Sequence, residues 1–292
     1  MDTTVLVPAR ALLSFDCVWG WSLVSKFANL CTQFPTFPVE ARRFDEDFIR
    51  RQLLCAMHDL WMISTAQARL AWMKEQAVND APLRMRWSSY AALDIESWHG
   101  QFRSLLDYAA KVLRELAQSR RGFKDWSFTE LWQKASGKTI DREGGEPKDT
   151  LDRREGSSQE FEEIVGTDWL ELLKSATWYP QIVSIRDQTV HFGAQTLVFG
   201  EGSDGILFQV MGKTASRLAQ QEPILMFNEN VVYFDRYAAY FMACLLSWLE
   251  KFASVAYSRL GMVKMPGSLV AHFGFEVLAT WLDDLIGRAK QA

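Results

Sequence analysis

Arg186, Asp187 and His191 stand together in the stretch WYPQIVSIRDQTVHFG, with four residues between the arginine and the histidine. These residue types can break a phosphodiester without a metal. A neutral imidazole can take the proton of a ribose 2′-hydroxyl or give one to the leaving oxygen. A guanidinium can hold a phosphate through two N–H donors and stabilise the charge that builds in the transition state. On a regular helix, five residues advance by about 500°, which leaves the two side chains about 140° apart. Their convergence therefore requires a distorted helix end, the long reach of arginine, or a second subunit.

The bare spacing is common. Arg51 and His58, with six residues between them, satisfy its loosest form. A structural role is the competing reading. His191 then caps a helix C-terminus, where the macrodipole favours it, and Arg186 pairs with Asp187, Asp107 or Glu171. Arg51, His58, His99 and His272 are expected to be structural.

Other chemistries find little support. Cys17, Cys31, Cys55 and Cys244 form no CxxC pair and lie among apolar residues. They read as buried free thiols of a reducing compartment. No cluster of Cys or His has metal-ligand spacing, so no metal and no cofactor are expected. There is no Gly-rich phosphate loop, HExxH, GxSxG or dinucleotide fingerprint, and GEGSDG reads as a hairpin turn. The net charge of −4 disfavours a broad nucleic-acid coat, which requires a basic surface. One basic and aromatic run, RELAQSRRGFKDW, could line a local RNA groove; a solvated helix end is its simpler reading.

A mainly α fold must position these residues. With 48% hydrophobic and 23% charged residues the chain is globular in balance, and its 12 Trp and 19 Phe recur at helical spacing, as core residues do. Helices are expected over 9–32, 45–76, 88–118, 159–175, 179–192, 234–259 and 268–290. Pro35 and Pro38 break the first, and 80–82 ends the second. The run 120–132 reads as a connection and 137–159 as a mobile insertion. Two β-type runs around 195–211 predict a hairpin after the motif helix, and a further extended segment is expected near ILMFNENVVYFD. The apolar stretches 11–30 and 237–249 carry or adjoin charges, so they read as buried segments of a cytoplasmic protein with no membrane span. The expected layout is one helical domain over 1–292, with an N-terminal helical extension (1–44), a bundle (45–260) and a C-terminal helix (261–292).

Taken with this order of elements, the Arg–Asp–x3–His stretch resembles the signature of the HEPN superfamily (higher eukaryotes and prokaryotes nucleotide-binding). There the motif closes a late helix of a four- or five-helix bundle, and a polar residue follows the arginine, as Asp187 does here. The resemblance spans about 45–260 and implies a metal-independent endoribonuclease, a toxin or phage-defence effector, with RNA as substrate and a protein regulator. It also implies a homodimer in which two Arg/His pairs meet at the two-fold axis. Arg186 would bind phosphate, His191 would be the acid/base and Asp187 would position one of them. Asp107, from its place on the third helix, is a candidate second orienting carboxylate. Gly193 stands where toxins paired with nucleotidyltransferase antitoxins carry tyrosine, so nucleotide addition there is not expected. The alternative is a non-catalytic helical bundle that binds a protein partner or a nucleotide.

Overall fold

The computed structural model describes residues 1, 3–16, 18, 20–33, 44–119, 125–140, 147–149, 156–191, 198–199, 205–261 and 268–291. Among these the chain is mainly α, with small antiparallel sheets. Its frame is a helical hairpin of α3 (Glu46–Ala77) and α4 (Ala81–Glu115). Asp45 and Asp80 cap the two N-termini, their carboxylates accepting from the amides of Phe48 and Leu83. This corrects the expected start of α4 at Ser88. Asp80-Ala-Pro is a break that also begins a helix, because proline is tolerated in the first turn.

Against this hairpin lies α10 (Phe234–Leu260), buried on nearly every side. It is long and apolar enough to cross a membrane, and 67% of its most apolar window is buried inside the protein. Its Phe234 and Tyr237 join Trp98, His99 and Phe208 in an aromatic cluster with ring centroids 5.0–6.2 Å apart. Such edge and tilted contacts add to the burial itself.

The termini differ from expectation. The residues read as a helix over 9–32 fold as α1 (Thr3–Ala11), strands β1 (Leu13–Asp16) and β2 (Gly20–Ser25), and α2 (Lys26–Gln33). The tail read as one helix over 268–290 begins with a strand, so its elements are β9 (Ser268–Ala271) and α11 (Gly274–Ala289). β2 lies between β1 and β9, with Leu23 opposite Leu13 on one side and Val270 on the other. Backbone pairing between the two ends of the chain overrides the apolar spacing. Phe15 and Val18, read as helix core, are exposed.

The middle of the chain is corrected in detail. Within the run read as a connection, α5 (Phe128–Ser136) opens on a capping box between Ser127 and Glu130. The insertion 137–159 includes strands β3 (Lys138–Ile140) and β4 (Pro147–Asp149) and the start of α6 (Gly156–Val165); 141–146 and 150–155 lie outside the described residues. The single helix expected over 159–175 is two, α6 and α7 (Thr167–Lys174). The chain breaks at Gly166, whose φ of 91° is one that other residues rarely adopt.

After α7 comes α8 (Tyr179–His191). The expected hairpin follows, with β5 (Val198–Phe199) antiparallel to β6 (Leu207–Gln209). β7 (Met226–Asn228) and β8 (Val231–Tyr233) extend it to four strands in the order β5-β6-β8-β7. Between β6 and β7 lies α9 (Gly212–Gln221), a helix with no counterpart in the sequence reading.

At the start of α11, a Cβ on Gly274 would lie 2.2 Å from the Ser64 carbonyl oxygen of α3. Backbone cannot retreat as a flexible side chain would. Gly274→Ala is expected to destabilise the protein by about 2–4 kcal/mol, read as a lower urea midpoint at unchanged slope.

Candidate functional site

α8 is docked on two sides by different chemistry. Toward α9, Ser184 shares a 2.7 Å hydrogen bond with Thr214. Gln188 donates to the Thr214 hydroxyl and to the Met211 carbonyl, and Gln181 donates to Gln221. Toward α4 the contacts are ionic. Arg186 Nη1 donates to Asp187 Oδ1 at 2.9 Å. Nη1 of Arg103, on α4, approaches the same oxygen at 3.5 Å. Arg103 also faces Asp107 one turn further along, at 3.9 Å.

Asp187 is buried, at 5% exposure, and a buried carboxylate demands such partners. The side chain of Arg186 is 19% exposed and that of Arg103 27%, so the cluster reaches the surface through its cations. Asp107 Oδ1 accepts from the Phe128 amide at the start of α5, at 2.9 Å. Tyr179, the first residue of α8, shares a 2.6 Å bond with Thr129 of α5. Burial raises its hydroxyl pKa. The carboxylates of Asp107 and Asp187 add to that rise, while Thr129 and Arg103 oppose it. One polar cluster therefore ties together α4, α5 and α8.

Three of the four sequence-selected residues, Arg186, Asp187 and Asp107, belong to this cluster. Asp187 touches Arg186 directly. Asp107 reaches it through Arg103, a residue not among those selected from the sequence. The i,i+4 spacing of Arg103 and Asp107 was the available signal. His191 is the last residue of α8, and its side chain lies outside the described residues. Because α8 runs as a helix from Arg186 to His191, the two Cα atoms stand about 7.5 Å apart along the axis and roughly 140° apart around it.

The remaining candidates divide clearly. His99 is fully buried, with Nδ1 2.8 Å from the Ile95 carbonyl and Nε2 2.9 Å from the Tyr237 hydroxyl. The carbonyl requires a proton on Nδ1, so Nε2 accepts from Tyr237 and the ring is neutral. His272 accepts the Gly274 amide on Nδ1 at 3.1 Å and stacks between Trp61 and Phe273. Both are satisfied packing histidines. Arg51 and His58 are exposed on α3 rather than packed. In the basic run, Arg114 pairs with Asp125, and Trp126 packs on Phe161; residues 120–124 lie outside the described residues. Among the described residues no group of three His, Cys, Asp or Glu could hold a metal, and Cys31, Cys55 and Cys244 are free. A cleft of about 430 Å³ lies on the α9 side of α8, bordered by Trp178, Gln181, Arg217, Tyr240 and Lys251, and does not include Arg186.

Compared with known proteins, the chain matches no family model, no curated protein and no solved structure.

Two outcomes follow from these environments. Arg103→Met leaves Asp187 with Arg186 and is expected to lower stability by about 1–2 kcal/mol, since Arg103 is partly solvated; chemical denaturation reads this. His99 has its pKa pushed down by burial to about 4, against 6.5 for an ordinary histidine. Its contribution to stability is complete above pH 6.5 and is lost as pH falls toward 4, by up to about 3 kcal/mol. Asp59, Asp235 and Glu250, raised by burial, act in the opposite sense. Urea unfolding of wild type and His99→Gln across this range isolates the histidine. A pH-independent difference between the two would contradict it.

Proposed function

We propose that this chain is a metal-independent endoribonuclease that acts as a symmetric pair of chains. The observation that carries this reading is the setting of Arg186. Its guanidinium is partly exposed, is oriented by buried Asp187 and sits on the helix that ends at His191. A phosphate contact fixed by a carboxylate costs little reorganisation when substrate binds. Positions 186 and 191 of a regular helix stand about 140° apart, so in this reading the imidazole of one chain serves the phosphate held by the other.

His191 would take the proton of the ribose 2′-hydroxyl, directly or through the two-fold mate. The 2′-oxygen then attacks phosphorus as the bond to the 5′-oxygen breaks, the leaving oxygen taking its proton from the protonated imidazole of the other chain's His191, giving a 2′,3′-cyclic phosphate and a 5′-hydroxyl. Arg186 would stabilise the charge on the non-bridging oxygens. Arg103 and Asp107 act behind it as positioning residues. A toxin or defence effector restrained by a protein regulator is the biological setting that suits such an activity.

A second reading has its own observation. Arg186, Asp187, Arg103 and Asp107 balance in charge and link α4 to α8, which is what a structural seam in a non-catalytic binding bundle would do.

RNA cleavage measured with EDTA present separates the two. The nuclease reading expects cleavage to fall by about 100-fold or more in His191→Ala and Arg186→Ala. It expects His58→Ala to cleave as wild type does, and light scattering to give twice the chain mass. Undiminished cleavage by folded His191→Ala would overturn it. A wild type without cleavage, whose Arg186→Ala variant loses stability alone, would leave the seam.

A further inference from the structure

The sheet β1-β2-β9 and the start of α11 border an open recess of about 420 Å³, remote in sequence from the Arg186 cluster. Its walls are aromatic. Phe15 and Trp21 meet edge to face at 5.8 Å and 65°. Facing them, the His272 and Phe273 rings stack at 4.4 Å, and Trp61 continues the stack behind His272. Phe15 and Phe273 are 64% and 62% exposed. The charged group in the lining is Glu276, on the first turn of α11. It is exposed, and among the described residues no ion pair engages it.

We propose that this recess binds a small quaternary ammonium compound, such as a choline-type cation. Aromatic faces carry negative quadrupole density and attract cations, the more so when the cation is easily dehydrated. The carboxylate at the rim supplies the counter-charge. An anion would meet ring faces and Glu276, with no basic residue among the described residues of the lining. A primary ammonium needs several acceptors to replace its water, and the walls consist of rings. A methylated ammonium needs none and can lie against the ring faces. The His272 wall suits a cation because its Nδ1 accepts the Gly274 amide, which holds the ring in its neutral form. Trp21 already takes a guanidinium at 5.4 Å from its ring, that of Arg10, whose charge is answered by Asp283. This inference is independent of the nuclease reading.

The test is calorimetric titration of the full chain with choline and with tetramethylammonium, alongside 3,3-dimethylbutan-1-ol, the neutral isostere of choline. Saturable choline binding is expected at millimolar concentration or below, with the isostere roughly tenfold weaker or more. Glu276→Gln and Phe273→Ser alter exposed positions and should each weaken choline binding several-fold while leaving the melting temperature unchanged. Trp21→Ala should abolish it. Three results would overturn the proposal: equal affinity for the isostere, choline affinity unchanged in both exposed-site variants, or binding to phosphatidylcholine vesicles with none to free choline.

Discussion

A long helix with an uncharged, largely apolar stretch such as 237–249 cannot rest on the surface of a bundle; most of that stretch has to be covered. α10 imposes that condition on this protein. α1, α2, α7 and α11 pack along it. The α3/α4 hairpin meets it through the aromatic cluster of Trp98, His99 and Tyr237. The one polar link buried in that cluster, His99 to Tyr237, is satisfied at both ring nitrogens. Shape and hydrogen bonding therefore select the same register between α4 and α10. Everything else, including α8, is placed by its relation to this core.

The Arg186 cluster is a different kind of contact. Its acid Asp187 is buried, and its cations reach solvent. A buried carboxylate is tolerated here because two guanidiniums face it, and breaking such a set costs more than forming it contributes. The same arrangement that fastens α8 to α4 also fixes the partly exposed Arg186 guanidinium. Structural and functional readings of this cluster thus share one geometry, and only chemistry done on RNA tells them apart.

Much of the helical frame was legible in one dimension. α3, α8 and α10 lie within a residue or two of where the sequence put them; α3 opens on the Asp45 cap and α10 closes at Gly261. The hairpin after α8 was legible from β-type runs around glycine. Signals were present but undervalued at Asp80-Ala-Pro and at Ser127-x-x-Glu130, both helix starts. Arg103 was hidden because its partner Asp187 lies far away in the chain, and a stripe of charges on a helix is ordinarily just solvated.

By itself the sequence determined the helical class and the core helix α10, since local spacing and composition encode these directly. Tertiary structure alone decided that residues 13–16 pair with 20–23, and 22–25 with 268–271, instead of forming a helix. Backbone hydrogen bonding between distant segments outweighed a local apolar pattern that suited either conformation. It likewise decided that Asp187 has two arginine partners, because burial and through-space distance, which create the need for a counter-charge, have no local signature in the chain.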